Sequence, residues 1–239
     1  MLRTLLRMAA TVRTAWRKAR KDQIVKAFHR LYVNDVFDKQ LRVNWLGVEV
    51  IKYPTDLVVY QEIIHEIRPD LIVETGTHHG GSAMFFASIL DLVGRGEVIS
   101  IDVNSRNNLP HHPRITYLVG SSTSDDVVAE VASRAEGLET VLVTLDSSHT
   151  KQHVAQEIDI YHRFVTKGSY LIVEDTKLNG HPVFTRYEPD VGEGPMEAVM
   201  EFLAKDRTFQ VDRSRERFFL TSNPSGFLLK IASPTSHPI

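Results

Sequence analysis

The strongest constraint on this chain is a row of five short apolar, β-branched runs at residues 71–75, 98–102, 115–119, 141–146 and 170–174. Each is strand-sized, and most are separated by enough residues for a helix or a crossover. Runs that are apolar throughout, not alternating, belong to strands buried on both faces, and strands interleaved with helical stretches read as a parallel sheet. The expected fold is α/β: a Rossmann-like, doubly wound, mainly parallel seven-stranded sheet. Residues 218–222 and 227–231 flank Asn223-Pro224-Ser225-Gly226 and read as an antiparallel C-terminal hairpin closing the sheet edge. Helices are expected over residues 57–67, stopped by Arg68-Pro69-Asp70, and over 196–205, opened by Gly194-Pro195.

With 239 residues and 42% hydrophobic content, one substantial core is expected and a second full domain is not. Residues 45–239 are assigned to the α/β domain and residues 1–44 to an amphipathic helical arm and connector. In the arm, Leu2, Leu5, Leu6, Ala9, Val12, Trp16 and Ala19 recur at helical spacing, with Arg3, Arg7, Arg13, Arg17 and Arg20 largely elsewhere. Residues 1–30 carry nine Lys or Arg and one acid, Asp22, leaving 19 basic against 29 acidic residues in the remainder. Such an acidic body suits phosphate backbones poorly, so nucleic acid is not an expected partner.

The apolar face of the arm is expected to pack on the body or on a second subunit, making a homo-oligomer plausible. Peripheral contact with anionic lipid through residues 1–30 is the sharper alternative, and a mitochondrial presequence is the remaining one. The longest apolar stretches fall far short of the roughly 20 residues that span a bilayer, and arginines interrupt any secretory signal core. The expected location is therefore cytoplasmic, with attachment at a membrane surface as an extension. No cysteine is present, which excludes disulfides, thiolate nucleophiles, cysteinyl zinc sites and iron–sulfur clusters.

The first run ends in Glu74-Thr75-Gly76-Thr77-His78-His79-Gly80-Gly81-Ser82, a glycine loop at the carboxyl end of a strand and opening a helix. Ligands of doubly wound sheets bind at that rim, and glycines let the backbone approach them. The loop departs from the dinucleotide fingerprint, and no Gly-Lys-Ser/Thr follows to cradle phosphate, so a nucleoside cofactor fits better. Asp102 ends the second run, 28 residues after Glu74, where a carboxylate can accept from both ribose hydroxyls. Ser121 and Ser122, in Gly120-Ser121-Ser122 after the third run, are candidates for the adenine edge; a plain serine-rich turn is the alternative.

Asp146 ends the fourth run, and Glu174 and Asp175 end the fifth. Clustered carboxylates repel unless a cation sits among them, and oxygen ligands without cysteine favour Mg²⁺ or a similar hard ion. The bland reading is that one or two of these acids cap helices. His149, three residues after Asp146, is suited either to general-base work near neutral pH or to metal ligation. Residues 177–194 are long for a plain connection and are expected to cover the acceptor.

These motifs, with Asn-Gly-His-Pro at 179–182, Gly-Pro-Met-Glu-Ala-Val at 194–199 and Asn-Pro-Ser-Gly-Phe-Leu at 223–228, resemble those of the cephalosporin hydroxylase and rhamnosyl O-methyltransferase family. The resemblance implies a class I S-adenosylmethionine-dependent methyltransferase with Glu74, Gly76, Thr77, Gly80, Gly81, Ser82, Asp102, Ser121 and Ser122 at the cofactor. It implies Asp146, Glu174 and Asp175 on a divalent ion. It supports His149 as base, because the matching position holds a lysine in the more distant catechol O-methyltransferases and a histidine in macrolide-sugar methyltransferases. The implied acceptor is a hydroxyl of a sugar or glycosylated natural product, with a rhamnose-like residue favoured. Despite the word hydroxylase, nothing here looks like the two-histidine-one-carboxylate set of a non-haem iron oxygenase. A non-catalytic cofactor-binding or membrane-associated partner protein would have no need of three clustered acids and a histidine. An NAD-dependent oxidoreductase lacks its fingerprint.

Overall fold

The computed structural model describes residues 2–37, 43–183 and 192–232, with the backbone alone for residues 2–12 and 37. The chain divides into two compact units, residues 1–41 and 42–239. The first is helix α1 (Leu2–Tyr32) followed by a π-helical turn, Val33–Phe37. The side chains of Leu2, Leu5, Leu6, Ala9 and Val12, five of the seven residues of the expected apolar face, lie outside the described residues. Further along, Trp16, Ile24, Phe28 and Leu31 are exposed, and the Arg20 guanidinium stacks 5.3 Å from the Trp16 ring centre. Among the described residues, no helix is long and apolar enough to cross a membrane.

The second unit opens with an antiparallel pair that the sequence does not announce, β1 (Val43–Trp45) and β2 (Val48–Val50). Leu46 and Gly47 turn the chain with φ of 49° and 86°, the positive values that match the twist of a two-residue hairpin. A leucine in that position carries no turn signal, which is why the pair escapes a sequence reading. Helix α2 (Pro54–Ile67) then starts on a proline whose missing N–H costs nothing in the first turn, and ends at a left-handed Arg68. Helix α3 (Gly81–Val93) follows the first long strand. The hairpin lies on α3: Trp45 meets Phe85 edge-on at 4.9 Å and donates its indole N–H to Ser88 Oγ at 3.1 Å.

The sheet contains β3 (Leu71–Thr75), β4 (Glu97–Asp102), β5 (Ile115–Val119), β6 (Val141–Leu145), β7 (Tyr170–Val173), β8 (Phe209–Val211) and β9 (Phe227–Lys230). Its order is β5-β4-β3-β6-β7-β9-β8. Strands β3 to β7 pair in parallel, while β9 runs antiparallel to both neighbours. Alternate residues send two cores to opposite faces. Val73, Ile101, Val143 and Leu171 pack with helices α4 (Asp125–Ala135), α5 (Lys151–Tyr161) and α6 (Pro195–Lys205), while Ile72, Val98, Leu142 and Ile172 pack with α2 and α3. The register Thr75↔Ile101 and Thr75↔Leu145 brings the carboxyl ends of β4, β3 and β6 level, so the loops that follow them share one rim.

The C-terminal hairpin is present, but its first strand is Phe209–Val211 and not residues 218–222. The expected segment has other partners. Phe219 takes a left-handed φ of 64°, the Ser222 amide donates to Asp56 Oδ2 at 2.7 Å, and Asn223 Oδ1 accepts from the Asp175 amide at 3.0 Å. Its backbone serves the rim of the sheet and not its edge. Of residues 177–194, positions 184–191 lie outside the described residues.

Candidate active site

A cavity of about 400 Å³ opens at the carboxyl rim of the sheet. It is lined by Gly76, Asp102, Ser121 and Ser122 on one hand and by Asp146, His149 and Asp175 on the other. An adjoining recess of about 30 Å³ is lined by Thr77, Gly81 and Ser82, with His79 and Lys52. Neither is lined by Glu74 or Gly80.

The nucleoside side is built from backbone. The amides of His78 and Asn104 each donate to Asp102 at 2.9 Å, one to each oxygen, which fixes the carboxylate plane at the cavity wall. His78 does so from a left-handed φ of 47°, an unfavourable conformation for a residue with a Cβ and one that clusters at functional loops. Two of the glycines answer to packing as much as to ligand approach. A Cβ on Gly76 would lie 1.9 Å from the Asp146 carbonyl oxygen, and one on Gly81 would lie 2.0 Å from that of Glu49. Glu74 is fully buried beneath the loop, where it accepts from Ser100 Oγ at 2.6 Å. Burial pushes its carboxyl up to about 7, against the pull of Lys52.

The acidic side is built from charge. Ligand atoms of Asp146, His149 and Asp175 all lie within 4.8 Å of one another. His149 Nε2 stands 3.1 Å from Asp175 Oδ2 and 3.8 Å from Asp146 Oδ1. Asp175 is held in a left-handed conformation with φ of 57°. Glu174, the third acid expected from sequence, is placed differently. It is buried, and its Oε1 meets Lys52 Nζ at 2.8 Å and the Tyr60 hydroxyl. Lys52 also reaches Asp146 Oδ2 at 2.9 Å, so a single ammonium ties Glu174 to Asp146.

A second buried lysine, Lys177, pairs with Asp175 and donates to Ser222 Oγ at 3.0 Å. Burial opposes ionisation of Asp175, but Lys177 and then His149 outweigh it and hold the carboxyl down at about 2. Burial likewise opposes the charge on Lys52, yet Asp146 and Glu174 hold it well above the ordinary lysine range. Glu174 is itself pushed up by burial, with Lys52 opposing.

Sequence reasoning missed Lys52, Tyr60 and Lys177. Nothing local marks Lys52, which sits in Ile51-Lys52-Tyr53-Pro54 and lies 122 positions from Glu174. It also missed His153, Ser147 and Glu157, where spacing along α5 gave a usable hint: His153 and Glu157 are four residues apart on one helix face.

Sheet order and rim define the class I methyltransferase architecture. In agreement, the solved structure of CmcI with Mg and SAM superposes with a TM-score of 0.57 at 21% identity, over 80% of this chain and 77% of that one. The family described as Rhamnosyl O-methyltransferase/CmcI matches residues 38–231. The Rhamnosyl O-methyltransferase of Mycobacterium bovis is 33% identical over 217 residues, 87% of this chain and 86% of that protein. The one from Mycobacterium leprae is 32% identical over 216 residues, 87% and 91% of the two. The chain belongs to the Rhamnosyl O-methyltransferase/CmcI family and is an O-methyltransferase.

Proposed function

We propose that the chain transfers the methyl group of S-adenosylmethionine to a hydroxyl of a sugar, with a rhamnose-like residue as acceptor and with Mg²⁺ or a similar divalent ion. One observation carries this reading: a single cavity joins Asp102, at the end of β4, to two carboxylates and an imidazole. The relatives named for rhamnosyl O-methylation support the sugar.

The donor set fits a hard divalent ion. Three acids, Asp146, Glu174 and Asp175, gather around two lysines, so carboxyl groups outnumber ammonium groups at the rim. Ions of this kind keep several positions for water or substrate, so few protein oxygens suffice. Asp146 and Asp175 would hold it, and Glu174 supports Asp146 through Lys52. When bound, the cofactor supplies a sulfonium-activated methyl, and the ion supplies charge that favours ionisation of the acceptor hydroxyl.

The chain's own residues supply the rest. Asp102 accepts hydrogen bonds from the ribose hydroxyls. His149, whose Nε2 stands 3.1 Å from Asp175 Oδ2, takes the acceptor proton. Placing donor and acceptor in one cavity removes the entropy of bringing them together, a large contribution in methyl transfer because the donor is already activated. The test is incubation of rhamnosyl glycosides with cofactor and Mg²⁺, read by mass spectrometry. A mass increase of one methylene is expected; no increase on any sugar acceptor would overturn the sugar assignment.

A further inference from the structure

Resting on the ion reading above, we infer that Lys52 and Lys177 determine which ion the rim accepts: by occupying one oxygen of each ligating aspartate they leave single-oxygen ligands, which suit Mg²⁺ and disfavour Ca²⁺. The two aspartates are divided in the same way. Asp146 gives Oδ2 to Lys52 at 2.9 Å and holds Oδ1 3.8 Å from His149 Nε2. Asp175 gives Oδ1 to Lys177 and holds Oδ2 3.1 Å from the same nitrogen. One oxygen of each therefore meets at a single imidazole, while a cation on either of the other two would stand against an ammonium.

Neither ammonium can step aside easily, because each is buried among further partners. Lys52 also meets Glu174 Oε1 at 2.8 Å and lies 5.6 Å from the Tyr60 ring centre. Lys177 donates to Ser222 Oγ at 3.0 Å and lies 5.0 Å from the Tyr53 ring centre. Ser222 is fixed in turn, since its amide donates to Asp56 Oδ2 at 2.7 Å. Moving either ammonium would leave buried charges without partners, a costly step. The Asp175 backbone is held as well, by its left-handed φ of 57° and by its amide on Asn223 Oδ1 at 3.0 Å.

Ca²⁺ collects about six to eight oxygens, often by taking both oxygens of one carboxylate, whereas Mg²⁺ takes about six at shorter distance and keeps waters among them. A carboxylate whose second oxygen already holds an ammonium serves the smaller ion fully and the larger one only in part. Glu174 does not make up the difference, because Lys52 and the Tyr60 hydroxyl both occupy its Oε1. Loss of one contact to a charged oxygen corresponds to a preference of about tenfold or more.

The experiment is displacement of Mn²⁺ from the full chain by Mg²⁺ or by Ca²⁺, read from the paramagnetic resonance signal of free Mn²⁺, with wild type, Lys177→Met, Lys52→Met and Lys177→Gln. Melting curves identify variants that do not fold. Wild type should release Mn²⁺ at Mg²⁺ concentrations about tenfold or more below those of Ca²⁺. Lys177→Met and Lys52→Met should move that ratio toward Ca²⁺ by about tenfold. Lys177→Gln, whose amide can still donate to Asp175 Oδ1, should keep the wild-type ratio while binding both ions more tightly. Loss of positive charge alone would strengthen both ions alike, so an unchanged ratio in folded Lys177→Met or Lys52→Met overturns the inference. Displacement from wild type by both ions at equal concentration overturns it too and leaves the ion reading intact. Failure of wild type to bind Mn²⁺ overturns that reading and this one with it.

Discussion

The two halves of the cavity are made in different ways. On the nucleoside side, loop backbone does the positioning: the amides of His78 and Asn104 fix Asp102, and Gly76 and Gly81 admit carbonyl oxygens where no Cβ would fit. On the acidic side, buried charges hold one another, with Lys52 bridging Asp146 to Glu174 and Lys177 bracing Asp175. A backbone-built site tolerates loss of any one side chain that does not touch the ligand. A charge-built site does not, because removing one ion leaves its partner buried and uncompensated.

That contrast can be broken first at the ion-holding carboxylates. Asp146→Ala and Asp175→Ala should each lower methyl transfer by about a thousandfold or more, in line with the several kcal/mol a bound ion contributes. Retention of turnover within tenfold in either variant would remove that residue from the site. Lys52→Met should destabilise the fold by about 3–5 kcal/mol in urea unfolding at neutral pH, since it strands Glu174. Because burial already raises the Glu174 pKa, the loss should shrink as the pH falls and that carboxyl takes up a proton. A variant equally destabilised at all pH values would show that Lys52 matters for packing and not for charge.

Glu74 offers a sharper probe of the nucleoside side. Burial raises its carboxyl from the ordinary 4.5 to about 7, so between those values the folded state binds more protons than the unfolded one. Stability should therefore fall as pH rises from 4.5 to about 7, by about 3 kcal/mol from this group, and Glu74→Gln should flatten that slope. An unchanged slope would assign the pH dependence elsewhere. Gly81→Ala should cost about 1–3 kcal/mol, because its Cβ would meet the Glu49 carbonyl at 2.0 Å and β2 must shift. A neutral effect in a thermal melt would show the hairpin to be freely movable on α3.

The same contrast explains what could be read in the sequence. Strands β3, β4, β6 and β7 were legible because an interior parallel strand must be apolar on both faces, and Asp102, Asp146 and Asp175 because rim carboxylates directly follow such runs; β5 lies at the sheet edge and was legible from its β-branched and aromatic residues. The β1–β2 pair was not, since Leu46-Gly47 lacks turn chemistry, and residues 218–222 read as a strand because their hydrogen bonds to Asp56 and Lys177 come from distant elements. The placement of Glu174 was illegible for a related reason. Adjacent residues at a strand end point to different sides, and only the position of Lys52 and Tyr60 decides which one is drawn inward.

The most direct test of a shared cavity is paramagnetic relaxation by Mn²⁺, as a substitute for Mg²⁺, on the protons of bound S-adenosylhomocysteine. Strong broadening of the ribose and side-chain protons in wild type, lost in Asp146→Ala, is the expected result. Mn²⁺ that binds the protein yet leaves those protons sharp would place ion and nucleoside in separate sites and contradict the proposed chemistry.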